Sequence, residues 1–213
     1  DYDTGLTEAE VVSNVSLVGL SGGLMINSDD LTRLSPERQK LMNLLLPVLS
    51  KGGYPLDGLE REIAELYVLP METEWQTWQD IAVFNWSDRP AHRQLDLNRL
   101  GWKRDSSWHV FDFWKRAYRR LAESMIDLDI LPAHSCRLLR ICQADNTPSL
   151  VGDTLHITQG GEIAALRVTA NTLEVETVDL GHRAEGELWF WLPGMPKKAT
   201  LNGMAIPVQP AAP

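Results

Sequence analysis

The chain has 213 residues, a formal net charge of −9 and 44% apolar residues. That length suits one large or two small domains, and the apolar content supports a packed core rather than a disordered chain. Residues 1–70 hold eleven acids and five bases, so −6 of the charge lies there. With no basic stripe, nucleic acid and an anionic membrane surface are not expected as partners. No apolar run reaches the length of a membrane span.

The opening DYDTGLTEAE has no methionine, basic n-region or apolar h-region. No signal peptide is read there, and a start inside a motif-rich stretch suggests a truncated chain. A helix is expected over residues 7–19, with Thr7 as N-cap, Glu10 completing a capping box and Leu6 and Val11 forming a hydrophobic staple. Val11, Val12, Val15 and Val18 share one face, and Gly19 and then Gly22-Gly23 end it.

Leu24-Met25-Ile26 is a continuous apolar run, the pattern of a strand covered on both faces in a parallel sheet. Asn27-Ser28-Asp29-Asp30 would then form the tip at the strand's C-terminal end, the active-site end if the sheet is a barrel. Ser35 caps the next helix with Pro36 at N1 and Glu37 in its first turn. Leu41, Leu44, Leu45 and Val48 form its apolar stripe, Pro47 bends or ends it, and Gly52-Gly53 confirms the stop. Residues 1–50 therefore read as an α/β remnant, the last βα unit of a (β/α)8 barrel.

Residues 51–74 read as a connector punctuated by Pro55, Gly58 and Pro70, in which 60–69 could be a short strand or a short helix. From Trp75 the rhythm changes to short β-rich runs: 78–86, 93–97, 108–114, 135–142, 163–169, 173–179, 187–192 and 199–201. Turn signals such as Gly160-Gly161 and Asn202-Gly203 separate them. Residues 75–213 are thus expected to form an all-β antiparallel sandwich. Cys136 and Cys142 fall six apart on one strand, about 20 Å between Cα atoms, too far for a disulfide. Both are expected to be free and buried.

Candidate chemistry is sparse. Retaining glycoside hydrolysis needs two carboxyl groups facing each other about 5–5.5 Å apart. Asp29 and Asp30 are adjacent, and a pair made of these two has the wrong geometry. Ser28, Asp29 and Asp30 are candidates only for lining a polar pocket at the strand tip, against the plainer role of capping the loop before the next helix. Lys103-x-Asp105 matches a pattern found around some glycosidase nucleophiles, but it lies in a polar loop and reads as a solvated turn. His92, His109, His134, His156 and His182 show no metal-ligand spacing. No catalytic residue, metal site or cofactor site is read. Eight tryptophans would be core aromatics of a β-rich domain or sugar-stacking platforms. Trp189 and Trp191 share one strand face opposite Leu188, Phe190 and Leu192.

LTEAE, LSGGLMINSDDL and SPERQKLMNLLLP, in that order, resemble the end of the catalytic barrel in α-galactosidases (melibiases) of glycoside hydrolase clan D, most of all family 36-like bacterial members. WHVFDFW, LPAHSCRLLRI and VGDTLHITQGGEI resemble the C-terminal sandwich of the same proteins. The resemblance implies a parent that is a retaining exo-glycosidase on α-galactosides or related α-linked sugars. It would use two aspartates and no metal or cofactor, with carbohydrate as its partner. Those aspartates sit on earlier barrel strands in the family, so no catalytic residue carries over to this chain. The alternative is a carbohydrate-binding or structural β-sandwich module without catalysis.

Overall fold

The computed structural model describes residues 5–28, 30–102, 106–178 and 186–210. The first helix, α1 (Glu8–Ser21), starts on the expected capping box. The Thr7 hydroxyl accepts from the Glu10 amide at 3.3 Å, and the Glu10 carboxylate accepts from the Thr7 amide at 2.7 Å. The helix ends at Gly22, whose φ of 67° and whose closeness to Lys51, 2.6 Å from its backbone oxygen to a would-be Cβ, both require glycine. The second helix, α2 (Pro36–Asn43), starts on Ser35 with Pro36 in its first turn. It stops at Asn43, so Leu44 and Leu45 continue the apolar stripe from the turn that follows.

The expected strand at Leu24–Ile26 does not form. These residues are irregular, and Leu24 and Ile26 are 88% and 80% exposed. An apolar run becomes a strand only where a neighbouring strand pairs with its backbone. Among the described residues no strand lies beside it. The helix–strand–helix pattern read as the end of a barrel is thus two helices joined by an exposed segment.

The antiparallel sandwich is observed. Its main sheet has six strands: β1 (Tyr54–Pro55), β2 (Leu66–Glu72), β3 (Thr77–Phe84), β8 (Cys136–Gln143), β5 (Trp108–Asp112) and β6 (Ala117–Leu121), in that spatial order. Every pairing in it is antiparallel. The undecided stretch 60–69 is therefore a strand from Leu66 onward. Over one face lies a two-stranded antiparallel sheet of β4 (Ala91–Asp96) and β7 (Met125–Leu131). Ile81, Val83, Leu139, Ile141 and Val110 of the six-stranded sheet meet Leu95, Ile126, Leu128 and Leu131 of the two-stranded one in a continuous core.

The opposite face presents Trp78, Ala82, Phe84, Leu138 and Cys142, because successive side chains of a strand alternate. Here Val15 and Leu20 of α1 and Ile157 of a following loop close a second core. Ser13 and Ser16, buried on the same helix, bond to the His134 carbonyl (2.8 Å) and the Trp114 indole (2.9 Å). Beside α1 on this face, β9 (Ser149–Asp153) pairs with β12 (Leu188–Trp191) over Phe111. The remaining strands form two hairpins: β10 (Ile163–Val168) with β11 (Leu173–Thr177), and β13 (Thr200–Leu201) with β14 (Met204–Ala205). Cys136 and Cys142 both lie on β8, free and buried, and burial pushes the Cys136 thiol up to about 11.

Candidate functional site

The chemically dense part of the molecule lies on the helix-covered face. Asp80 on β3 and Arg140 on β8 are directly opposite each other in the sheet, and both are fully buried. The loop 153–162, which carries TLHITQGGE, folds over them and adds Asp153, His156, Thr158, Gln159 and Glu162, all buried. The Arg140 guanidinium lies 4.0 Å above the Trp78 ring. It donates to the Gln159 carbonyl, to the Leu150 carbonyl at 3.2 Å and to the Gln76 side-chain oxygen at 3.0 Å. The Trp78 indole N–H donates to Asp80 at 3.0 Å, and the Gln159 amide reaches the other Asp80 oxygen at 3.4 Å.

The carboxyls of this layer are held far from their usual state. Burial pushes Asp80 well above the carboxylate range, and the Arg140 charge draws it part of the way back. Burial and the neighbouring Glu162 push Asp153 well up, and burial raises Glu162. Asp153 Oδ2 and Glu162 Oε1 find no donor from any other described group. Burial, with the Glu162 charge acting on Asp153, favours a proton retained on this pair. Both carboxyls are fully buried under the loop, with no open face where a glycosidic bond could sit between them. The arrangement therefore acts as a lock. The Asp153 carboxylate accepts from the amides of Leu155 (2.9 Å) and His156 (3.2 Å). His156 reaches Thr158 Oγ1 (2.7 Å) and the Pro47 carbonyl (3.0 Å), and the Ile157 amide donates to the Leu44 carbonyl (2.9 Å). The loop thus joins the sheet to the segment after α2.

The residues singled out from sequence are not gathered here. Ser28 and Asp30 are exposed, far along the chain from the buried layer, and Asp29 lies outside the described residues. One Asp30 oxygen accepts from the Thr32 amide (3.1 Å) and hydroxyl (2.6 Å), a local turn-capping arrangement. Lys103, Arg104, Asp105 and His182 also lie outside the described residues. His92 pairs with Asp127 (2.9 Å) and His134 with Asp88 (3.0 Å) at the surface. His109 is buried against Tyr118 (2.8 Å), and burial, aided by Arg120, pulls its pKa down to about 4. Among the described residues no group of three or more His, Cys, Asp or Glu is placed to hold a metal ion.

The Trp189–Trp191 face is not an open platform. Trp189 packs on Phe111 (5.1 Å between centroids) and Trp191 on His109 (5.7 Å), with Arg120 over the Trp191 ring. Among the described residues, two surface clefts of about 240 Å3 each stand out. One holds Arg61, Arg93 and Arg99, each already ion-paired with Asp57 and Glu65, with Glu65, and with Glu60 respectively. The other lies beside Trp75, above the buried layer. Sequence inspection missed Asp80, Arg140, Asp153 and Glu162. The available signal was a charge at an inward position of an otherwise apolar strand, as in TWQDIAVF and CRLLRICQ.

No family model matches the chain, and no curated protein matches it. Solved structures do match. One is a candidate α-N-acetylgalactosaminidase from Bacillus halodurans C-125, at 16% identity and a TM-score of 0.54, covering 66% of this chain and 33% of that one. Another is a GH27 β-L-arabinopyranosidase from Geobacillus stearothermophilus, at 19% identity and a TM-score of 0.52, covering 66% of this chain and 32% of that one. A candidate α-galactosidase from Bacteroides fragilis matches at 13% identity and a TM-score of 0.50, over 67% of this chain and 31% of that one. At these identities the likeness shows the fold. The chain spans about a third of the length of these structures.

Proposed function

We propose that this chain is the C-terminal part of a clan D-like glycoside hydrolase, whose sandwich supports a catalytic barrel built from sequence preceding Asp1. The fold likeness to proteins described as glycosidases supports this most directly. The ordered motifs from LTEAE to VGDTLHITQGGEI favour the α-galactosidase branch and a family 36-like member. In the intact enzyme the exposed Leu24 and Ile26 would gain the strand partners that they lack here, and Leu31, half exposed, would be covered with them. Residues 1–50 would then form the end of the barrel, 51–74 the connector and 75–213 the sandwich. Ser28, Asp29 and Asp30 would stand at the rim of the sugar pocket, with both catalytic aspartates on earlier strands and an α-linked galactoside or related sugar as substrate.

A retaining site needs both of its carboxyl groups. The purified chain is therefore expected to release no p-nitrophenol from p-nitrophenyl α-galactoside. The same chain joined to its upstream coding sequence is expected to turn it over. Turnover by the chain alone that disappears on Asp29→Ala or Asp30→Ala would overturn the assignment, as would an upstream sequence without barrel strands.

A further inference from the structure

The second cleft lies between two loops that are each held by their own bonds. On one side is the turn joining β2 to β3. There the Thr73 amide and hydroxyl donate to the Gln76 carbonyl (3.0 and 2.9 Å), and the Gln76 amide donates back to the Thr73 hydroxyl (3.1 Å). On the other is the turn joining β8 to β9. There Asp145 accepts from the Thr147 amide (3.2 Å) and hydroxyl (2.6 Å), and Ser149 donates to the Thr147 carbonyl (2.9 Å). Walls fixed in this way lose little freedom when a ligand enters.

The lining has a consistent chemistry. Trp75 is half-buried, with one face stacked on Trp78 at 5.2 Å, and supplies a broad apolar surface. Gln76 has its oxygen committed to the fully buried Arg140, so its amide N–H groups are the free end. Gln143 adds a second, exposed amide and Asp145 a carboxylate. Partial burial raises the Asp145 pKa, but the Thr147 bonds outweigh it and hold the group below the usual range, so it stays an acceptor. Among the described residues that line the cleft none is basic, which leaves an anionic ligand without a counter-charge. An indole surface ringed by amides and a carboxylate suits a ligand with an apolar ring face and hydroxyls around its edge.

We propose that the cleft between Trp75 and Asp145, on the sandwich, binds one neutral pyranose unit. Its volume of about 240 Å3 admits a single sugar ring rather than an oligosaccharide. The assignment rests on the lining chemistry of this chain and holds whether or not the parent is a glycosidase.

The test is a titration of the isotopically labelled chain with methyl α-galactopyranoside, methyl β-galactopyranoside and methyl α-glucopyranoside, each to about 50 mM, followed by amide and indole NMR shifts; binding of millimolar strength is expected. Saturable shifts from at least one of them should centre on the Trp75 indole and the Gln76 and Gln143 side-chain amides. Methyl glucuronoside, which carries a carboxylate, should produce weaker shifts. Gln143→Ala, at an exposed position, should weaken binding by about tenfold without changing the thermal midpoint, and Trp75→Ala should abolish it. Absence of saturable shifts with all three neutral sugars, shifts centred elsewhere, or equal binding of the glucuronoside would each overturn the proposal. Because the titration reads binding and not turnover, its failure is distinct from failure of the glycosidase assignment.

Discussion

Replacing Arg140 by methionine tests the buried lock directly. Methionine fills a similar volume but removes the charge and every donor. The Gln159 and Leu150 carbonyls then lose their donor in a buried setting, at about 1–3 kcal/mol for each group left unsatisfied. The contact with the Trp78 ring is lost as well, worth about 2 kcal/mol when desolvated. Asp80 loses the one positive charge that draws its pKa down. These effects overlap, and a buried charge system broken on one side costs about 3–5 kcal/mol as a whole. In urea denaturation followed by tryptophan fluorescence, Arg140→Met is expected to lower the unfolding free energy by that amount at unchanged m-value. Because burial already favours neutral Asp80, protonating it limits the damage. The loss should therefore be smaller near pH 5 than near pH 8, with stability falling as pH rises through the raised carboxyl pKa. Adding Asp80→Asn should recover about 1 kcal/mol or more, since the orphaned carboxyl is gone. A single variant within about 1 kcal/mol of the parent chain, or a double variant as unstable as the two single losses summed, would refute the assignment of a charge-dependent lock.

Two further outcomes follow from the packing. His109 is kept neutral in the fold, so stability tied to it is present above pH 6.5 and lost as pH falls toward 4; the gap between the parent chain and His109→Gln should shrink by about 3 kcal/mol across that window, and a constant gap would exclude the mechanism. Gly152→Ala would place a Cβ 2.2 Å from the Phe111 ring, which Trp189 covers from above; overpacking of this kind should cost about 1–3 kcal/mol in a thermal melt, and an unchanged midpoint would show that Phe111 can move aside.

What the sequence revealed depended on how local the cause was. α1 was legible because its start signal is complete within four residues, from Thr7 to Glu10. The strands that became β3, β5 and β8 were legible from aromatic and branched runs between turn signals. β7 was overlooked although MIDLDIL alternates cleanly at first; the alternation breaks at Asp129, whose positive φ of 61° shifts the inward position from Leu128 to Leu131. Leu24–Ile26 was misread for the opposite reason. Its apolar run satisfies the side-chain pattern of a buried strand, but strand formation depends on a non-local partner that the run cannot encode. The buried layer was least legible of all. Asp80, Arg140, Asp153 and Glu162 are spread over more than eighty positions, and only the β3–β8 register and the fold of the loop 153–162 bring them together. The adjacent Asp29 and Asp30 drew attention by proximity in sequence, which says little about proximity in space.

The order of the six-stranded sheet governs how the molecule meets copies of itself. A sheet's outer strands are where another chain can extend the hydrogen-bond ladder. One margin here is β1, only two residues long, and Pro55 in it has no N–H to offer an incoming strand. The other is β6, whose consecutive Arg119 and Arg120 point to opposite faces, Arg119 reaching to the Asp127 carbonyl and Arg120 lying over the Trp191 ring. A newcomer would meet a guanidinium group on each face of that strand. Both borders of the sheet are thus poor templates for strand-by-strand growth, so the architecture resists fibril-like stacking through the very strands that form its core.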